Sequence, residues 1–464
     1  MNSLPTNASR TPTRPRRGTC RWPSLLAWTF ALAATSASGA DGDLDPTFAS
    51  GGAAFANWGA EAFRDASVTV DSTGAVFVAA TARSVANNRL FAVAKFRPDG
   101  SLDTAFGFQG LRTVDFDLVA DGFDLQHGVF ALLGGAVMLL GEAEIPGNAS
   151  APAMVRLTAA GNADTTFGAG GKRVIINSPW AIEGLDLVAT TRQRDGKFVF
   201  GGWCVDCPWP RGAVVLRVDA NGAPDASFGT NGWASLAVPE RTRLNAVAVD
   251  RSGRIALAGF DGDLANEPHA PVLARFLPDG SADLSFGVGT GYVRLTNVPA
   301  PPPQGGWLGR ALAADRDGSL LLSLTIDDDL DAMHAGIVRV RENGTLDTAF
   351  GNAGLRPLDL ENGVVVEAID VRSDGRIMAA GSINHTGGGL DVLVTRLRAD
   401  GSLDPGFAGN GLVRHAIDPQ IDRTFALTSS AGRPVIAGVA QRGDSWDGFA
   451  VRLTSDLIFA DGIE

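Results

Sequence analysis

The chain has 464 residues, 45% of them hydrophobic, which is enough to bury a sizeable core. Its 58 glycines and 24 prolines imply many turns and favour short strands over long helices. The formal net charge of −12 argues against nucleic acid and anionic membranes as partners, because an acidic surface repels them.

The first predicted element is a secretory signal peptide over residues 1–40. Five arginines and no acidic residue accompany the apolar run LLAWTFALAA (25–34), and Ser38 and Ala40 follow it at the positions that a signal peptidase reads. The run is too short to span a bilayer, so an uncleaved anchor is the lesser alternative. We expect cleavage after Ala40, export to the periplasm or the exterior, and a mature charge of −17 from 34 basic and 51 acidic residues.

From Asp45 onward the chain repeats itself. The element D-x-x-F occurs seven times, and successive aspartates are 58, 61, 61, 58, 64 and 57 residues apart. Each unit reads as a glycine-led segment such as GLRTVDF (110–116), a second segment that runs into a turn, an apolar third and an alternating fourth. These are the lengths and periods of β-strands joined by Asp-Gly, Asn-Gly and Ser-Gly turns.

Seven four-stranded units predict an all-β fold, a seven-bladed β-propeller of antiparallel blades. The single propeller domain is expected over residues 41–455, with seven repeats of about 60 residues and a short acidic tail at 456–464. An open β-solenoid is the alternative, although its coils repeat at shorter periods. No later segment is long and apolar enough to span a membrane.

The fourth segment of each unit carries a basic residue at one fixed place. In the first six units this residue precedes the next D-x-x-F aspartate by eight residues. We expect ion pairs that pin the turn between blades, since a guanidinium grips a carboxylate with two hydrogen bonds, and we expect the phenylalanine to fill the gap between sheets. The expected pairs are Lys95–Asp103, Arg156–Asp164, Arg217–Asp225, Arg275–Asp283, Arg339–Asp347 and Arg396–Asp404.

The two unmatched members of this pattern predict how the ring closes. Arg452 has no acid eight residues downstream, and Asp45 has no base eight residues upstream. We therefore expect the N-terminal GDLDPTF (42–48) to dock on the seventh blade through an Arg452–Asp45 pair. Asp456 and Phe459 of the tail form a degenerate D-x-x-F and are the competing closure.

The pattern D-G-S-L-D-x-x-F-G, complete within RPDGSLDTAFG (97–107), resembles the delta-60 repeat family of mostly exported bacterial proteins. The resemblance covers residues 41–455, nearly the whole mature chain. It implies a β-propeller and brings no catalytic residues.

Cys204 and Cys207, in WCVDCPW, lie in the loop between the third and fourth segments of one unit. In an oxidising compartment we expect them to form a local disulfide. A redox dithiol and half of a zinc site are the alternatives, but the β-α setting of the first and the histidine spacing of the second are missing.

The same inter-strand loop differs in every unit, so a binding site is expected there. One such loop carries four aspartates that could hold Ca²⁺, although the EF-hand order is not met and a solvated acidic loop is the alternative; no cofactor is otherwise predicted. These are Asp327, Asp328, Asp329 and Asp331. Tryptophans on these loops could stack on sugars or anchor a partner, or simply pack: Trp203, Trp209 and Trp446. Three further tryptophans are expected near the opposite rim: Trp58, Trp180 and Trp307.

Catalytic signatures are largely missing: the sequence contains no G-x-S-x-G, no H-E-x-x-H and no P-loop. We expect an exported, monomeric, non-enzymatic binding or interaction module that presents variable loops to a protein or polysaccharide. One alternative is a propeller hydrolase, lactonase-like or esterase-like, with a metal in the central channel. Another is a structural component of the cell envelope.

Overall fold

The computed structural model describes residues 40–59, 61–84, 87–119, 122–147, 149–179, 185–204, 212–239, 241–261, 269–299, 306–326, 334–358, 360, 363–385, 388–430 and 432–454. Residues 39–464 form one compact unit. The segment assigned to the signal peptide lies outside the described residues except for Ala40, and the acidic tail lies wholly outside them. Within the described part the fold is all-β, and no helix there is long and apolar enough to cross a membrane.

Twenty-eight strands run through the described residues, interrupted by one turn of 3₁₀ helix at Leu133–Gly135. The first is β1 (Ala53–Ala56). Sheet A consists of β2 (Glu61–Val70), β3 (Val76–Arg83), β4 (Arg89–Phe96) and β5 (Leu111–Val114). Sheet B consists of β6 (Leu125–Ala131), β7 (Val137–Ile145), β8 (Ala149–Leu157) and β9 (Lys172–Val174). Sheet C consists of β10 (Leu185–Arg192), β11 (Phe198–Cys204), β12 (Gly212–Val218) and β13 (Trp233–Ala237). Sheet D consists of β14 (Arg243–Val249), β15 (Ile255–Asp261), β16 (Ala270–Phe276) and β17 (Tyr292–Arg294). Sheet E consists of β18 (Trp307–Ala314), β19 (Leu320–Ile326), β20 (His334–Val340) and β21 (Leu355–Pro357). Sheet F contains β1 together with β22 (Val364–Val371), β23 (Ile377–His385), β24 (Gly389–Leu397), β25 (Leu412–His415), β26 (Ile421–Ser430), β27 (Arg433–Arg442) and β28 (Ser445–Arg452).

Sheet F divides into two antiparallel halves of four strands each. Half F1 contains β22 to β25, and half F2 contains β26, β27, β28 and β1 in that spatial order. A single parallel pair, Leu390 with Ile421, joins the two halves. Each half therefore has the same strand order as sheets A to E.

The glycine-led segment is the last strand of each sheet, so its prediction as the opening strand of a unit is wrong. GLRTVDF contributes β5, which pairs with β4 of the preceding segments. The reason lies in the connections: the tight D-x-x-F turn joins β4 to β5, with Phe96 bridged to Leu102, whereas a longer loop leads on to β6. Each predicted repeat therefore begins with the last strand of the preceding sheet, one strand ahead of the sheet boundary in the structure.

The first strands of neighbouring sheets lie against each other in a closed series. Each of β2, β6, β10, β14, β18 and β22 contacts the next, and β22 contacts β26, which in turn contacts β2. Each sheet then has a turn edge, where its first and second strands connect, and a loop edge, where its second and third strands connect. We use these two names below.

Second and third strands carry the core. Strands β15, β16 and β19 are buried at every position, in keeping with their nearly continuous apolar sequences. A strand with the alternating pattern of a half-exposed sheet would bury only every second side chain. Burial on both faces follows because each sheet packs between two neighbours.

Candidate functional site

Repeated ion pairs lie at the turn edge of every sheet. In each pair the basic side chain on the third strand contacts the aspartate of the next D-x-x-F element. The shortest N–O distances are 3.0 Å for Lys95–Asp103, 2.8 Å for Arg156–Asp164, 2.8 Å for Arg217–Asp225, 2.7 Å for Arg275–Asp283, 3.8 Å for Arg339–Asp347, 2.7 Å for Arg396–Asp404 and 2.8 Å for Arg452–Asp45. Because the arrangement recurs in all sheets, we assign it to architecture and look elsewhere for a site.

The phenylalanine of each D-x-x-F element is buried, and in six of the seven described elements it lies beneath the cation of its ion pair; Phe350 is the exception. In sheet D, for example, the guanidinium carbon of Arg275 lies 4.4 Å from the ring centroid of Phe286, which has no exposed surface. Such cation–π contacts strengthen when the cation is desolvated. Each turn thus combines a buried phenylalanine with a charge pair.

The two ends of the chain meet in half F2, where β1 pairs with β28. Arg452 Nε donates to Asp45 Oδ2 at 2.8 Å, and Arg452 Nη1 donates to the Pro98 carbonyl of sheet A at 2.6 Å. Burial opposes ionisation of Asp45, but hydrogen bonds from Thr47 and the charge of Arg452 outweigh it and hold the pKa of Asp45 below its usual value. The competing closure by residues 456–459 lies outside the described residues.

Of the predicted stacking tryptophans, the structure describes two. Trp203, at the end of β11, and Trp446, in β28, are both half-buried. The neighbouring Cys204 is buried and disulfide-bonded. The other predicted residues of these loops lie outside the described residues: Cys207, Trp209, Asp327, Asp328, Asp329 and Asp331.

Trp58 and Trp307 lie at the loop edge, so their predicted placement at the opposite rim is wrong. Trp58 packs in one apolar cluster with Trp446. Trp307 pairs with Ile326, the last residue of β19 before the variable loop. Because consecutive strands are antiparallel, the chain enters each first strand on the same side at which the second and third strands are joined. Trp180 lies outside the described residues.

A groove of about 670 Å³ lies between half F2 and sheet A, at the junction where the chain ends meet. We call it the aromatic groove. Half F2 contributes Phe55 and Trp58, and sheet A contributes Phe108, which is 77% exposed. Asn57 and Arg112 add polar groups to the lining.

Two of the groove aromatics occupy positions where the repeat elsewhere has none. Phe108 stands two residues after the D-x-x-F phenylalanine. The other units have Ser50, Ala169, Thr230, Val288, Asn352 and Gly409 at this position. Phe55 stands seven residues after that phenylalanine, and the counterparts in the other units are likewise not aromatic. Sequence reasoning missed this signal because it looked for variation in the loops rather than within the repeated turn.

Close packing fixes the aromatic side chains of half F2. The Trp58 ring lies against Gly448, where an added Cβ would come within 2.4 Å of the indole. The guanidinium carbon of Arg442 lies 4.2 Å from the centroid of the Phe55 ring. Glycine at position 448 thus lets the tryptophan approach the backbone of β28.

Polar groups beside these rings are held in place by hydrogen bonds. Asn57 Nδ2 donates to Asp447 Oδ1 at 2.8 Å, and Gly59 N donates to Asn57 Oδ1 at 2.8 Å. Burial raises the pKa of Asp447, which accepts hydrogen bonds from Ser445 and Asn57. The groove therefore has packed aromatic rings on its half F2 side and an ordered amide, which suits a ligand with both apolar faces and hydroxyl groups.

A second cluster of titratable groups lies between sheets B and C. His127 Nε2 lies 3.7 Å from Glu142 Oε2, and Glu142 Oε1 accepts a hydrogen bond from Leu187 N at 2.9 Å. Burial, reinforced by the charge of Glu142, raises the pKa of Asp186 to about 6. The position equivalent to Glu142 in sheet A is Thr81, whose hydroxyl oxygen accepts a hydrogen bond from the Gln126 backbone N–H of sheet B. Glu142 thus replaces a neutral hydroxyl in the contact between neighbouring sheets. Glu142, one of two acids in the otherwise apolar segment VMLLGEAEI (137–145), was the available sequence signal.

The described residues contain no group of three or more histidine, cysteine, aspartate or glutamate side chains placed to hold a metal ion. Glu142 and His127 belong to the inter-sheet contact described above. The Ca²⁺ candidates on the loop after β19 fall outside that part of the chain.

Sheets of four antiparallel strands, repeated along the chain with a turn motif at each, define a β-propeller scaffold. Four segments match the family model described as a domain of unknown function (DUF5122) beta-propeller, namely residues 72–106, 193–228, 251–286 and 372–407. Each match begins in the turn between a first and a second strand and ends at the D-x-x-F phenylalanine. The chain is thus a β-propeller repeat protein, and the narrower resemblance to the delta-60 repeat family stays a prediction.

No curated protein matches the chain. Among solved structures, a protein of unknown function from Dyadobacter fermentans DSM 18053 is 12% identical, with a TM-score of 0.41 over 89% of this chain and 98% of that one. A puromycin hydrolase is 14% identical, with a TM-score of 0.47 over 92% of this chain and 58% of that one. A PL25 ulvan lyase is 10% identical, with a TM-score of 0.42 over 83% of this chain and 92% of that one. At these values the likeness says nothing about activity or substrate.

Proposed function

We propose that this protein is an exported, non-enzymatic binding module that holds a polysaccharide chain in the aromatic groove. The observation that carries the proposal is the meeting of Phe55, Trp58 and Phe108 around one groove on an otherwise repetitive scaffold. Aromatic faces stack on the apolar faces of sugar rings, while amide and guanidinium groups hydrogen-bond to sugar hydroxyls. Asn57 and Arg112 provide such groups in the groove.

The scaffold in this proposal is a seven-bladed propeller over residues 41–455. Two observations support seven. The first strands make a closed series of contacts from β2 through β26 and back to β2. The halves of sheet F share only the Leu390–Ile421 pair, so each counts as a blade of its own. Radial closure buries sheet faces that a single blade would leave exposed.

Export in this proposal removes residues 1–40 as a signal peptide. The contacts of the residues that follow support this boundary. Asp41 forms an ion pair with Arg396 of half F1, and the Gly42 carbonyl lies 2.9 Å from His415 Nε2. The chain is thus engaged in the sheets from Asp41 onward. Intact mass measurement of the exported protein should find Asp41 at the N-terminus.

The binding proposal is tested by affinity electrophoresis of the mature protein through gels that contain neutral or acidic polysaccharides. We expect at least one polysaccharide to retard the protein, and Phe108→Ala to weaken its binding about 3- to 10-fold, as expected for loss of about 0.7–1.4 kcal/mol of ring contact. Val288→Ala is the matched control, because Val288 stands at the same repeat position in sheet D and is 95% exposed.

Three results would contradict the proposal. The first is the absence of retardation by any polysaccharide. The second is equal loss of binding in Phe108→Ala and Val288→Ala. The third is release of shortened sugar chains during incubation, which would favour the hydrolase alternative and overturn the non-enzymatic part.

A further inference from the structure

A cavity of about 410 Å³ opens at the turn edge, at the ends of the first strands of sheets C, D, E and half F1. We call it the arginine pocket. Four arginines line it: Arg192, Arg194, Arg251 and Arg316. The last three stand in consecutive sheets, in the turns QRDG (193–196), DRSG (250–253) and DRDG (315–318). The pocket and the aromatic groove share no lining residue and belong to different sheets and half-sheets.

The acidic residues of the pocket form ion pairs with cations outside its lining. Asp250 pairs with Arg254 at 2.6 Å, and Asp195 lies 3.5 Å from Lys197. Asp315 lies 3.6 Å from Arg339. Each of these cations also contacts a second acid, and the lining itself holds four arginines against three aspartates.

The arginines themselves are mostly unpaired. Arg192 donates to the Ala131 carbonyl at 3.0 Å. Within the described part of the chain, the side chains of Arg194, Arg251 and Arg316 make no ion pair or hydrogen bond, and all three are exposed. On a protein with a net charge of −12, such a concentration of unpaired guanidinium groups is a local reversal of sign. An anion in the cavity would relieve their mutual repulsion and gain bidentate hydrogen bonds.

A second observation at the same place points to a ligand. Gln193 lines the cavity and is 8% exposed, and its Oε1 has no hydrogen-bond partner in the described residues. Sheets D and E have Asp250 and Asp315 at this turn position, and Asp250 accepts hydrogen bonds from its own turn. Glutamine here leaves a buried acceptor unsatisfied unless a donor arrives. The side-chain amide of Gln193 rotates easily about its terminal torsion, χ3. A ligand hydroxyl in the cavity can therefore donate a hydrogen bond to its Oε1.

We propose that the arginine pocket binds a small anion that also carries hydroxyl groups, such as a sugar acid or a sugar phosphate. Arg194, Arg251 and Arg316 take the anionic group, and Gln193 accepts a hydrogen bond from a hydroxyl. The volume of about 410 Å³ fits a ligand of this size. The inference is independent of the aromatic groove and stands or falls separately.

The test is isothermal titration calorimetry of the mature protein with four probes: D-glucuronate, D-glucose 6-phosphate, D-glucose and inorganic phosphate. We expect glucuronate or glucose 6-phosphate to bind at least about tenfold more tightly than glucose, because glucose lacks the charge. Which of the two binds more tightly identifies the anionic group. Equal binding of glucose, or no binding of either charged sugar, overturns the proposal.

Variants assign the roles. The double substitution Arg251→Gln with Arg316→Gln should weaken binding of the preferred charged sugar at least about tenfold, and Arg398→Gln should leave it unchanged. Arg398 is an exposed arginine at the same edge but outside the pocket lining. Gln193→Met should weaken binding of the sugar and leave binding of inorganic phosphate unaltered. A Gln193→Met protein that binds the sugar like the wild type, or an Arg398→Gln protein as weak as the double variant, contradicts the proposal.

Discussion

Replacement of Asp45 by alanine should open the ring at the junction of the chain ends. The substitution removes the carboxylate that Arg452 Nε and Arg433 Nη1 contact at 2.8 Å and 2.9 Å. Arg452 is only 8% exposed, so its guanidinium would stay buried without its ionic partner. Breaking a buried pair in this way costs about 3–5 kcal/mol. Because Arg452 keeps its hydrogen bond to the Pro98 carbonyl, we expect about 3 kcal/mol, the lower end.

Urea-induced unfolding measures this loss as a lower midpoint for Asp45→Ala than for the wild type. Asp164→Ala is the matched control, because its Arg156 pair has the same 2.8 Å geometry but more exposed side chains, 18% and 23%. A more exposed pair within a continuous stretch of chain should cost clearly less than the Asp45–Arg452 pair. The pKa of Asp45 is lowered by folding, so the difference between Asp45→Ala and wild type should be full above about pH 5 and shrink as the pH falls further.

A loss below about 1 kcal/mol for Asp45→Ala, or a loss equal to that of Asp164→Ala, would refute the reasoning. The first result would mean that the Arg452–Asp45 pair does not hold the chain ends together. The second would mean that the ring junction is no more sensitive than an ordinary turn. Because β1 also carries Phe55, an opened junction should weaken polysaccharide binding by Asp45→Ala as well.

Three further outcomes are expected. Burial raises the pKa of Asp124 to about 6, so the native state keeps this proton at pH values where the unfolded state has already lost it, and stability falls as the pH rises through that value. Asp124→Asn should therefore gain up to about 3 kcal/mol of unfolding free energy at pH 7 and nothing near pH 4. Urea unfolding of both proteins at the two pH values measures this difference. Gly448→Ala should displace Trp58, changing the near-ultraviolet circular dichroism and costing about 1–3 kcal/mol, and an unaltered spectrum would contradict the packing against Gly448. Non-reducing peptide mapping should link Cys204 to Cys207, whereas two free thiols in the protein purified without reductant would exclude that bond.

The parts of the fold that the sequence predicts are those set by local geometry. Arg217 and Asp225 meet because a tight turn of fixed length lies between them, and the same spacing recurs along the chain. A pattern that repeats with its partner a few residues away is visible in a single sequence. The four-stranded sheets and their turn motifs could be derived for the same reason.

Other features depend on how one sheet meets the next, and spacing along the chain says little about that. Phe55 and Phe108 face one groove only because half F2 closes against sheet A. The edge on which Trp58 lies follows from strand direction, and the prediction from sequence placed this tryptophan at the opposite edge. Arg251 and Arg316 line one cavity because the turns of consecutive sheets are neighbours. Both arginines stand in a D-R-x-G turn one repeat apart, and this recurrence was a sequence signal for the pocket.

The pairing of the N-terminal strand β1 with the last strand, β28, has a consequence for the time course of folding. Asp45 and Arg452 are 407 residues apart, whereas the other ion pairs of the ring span eight. Contacts between residues far apart in sequence form slowly, because the intervening chain must first lose conformational entropy. The last half-sheet therefore cannot assemble until its final strand has been synthesised and the intervening sheets have ordered. A nascent chain therefore remains open at this junction until its last strand has been synthesised.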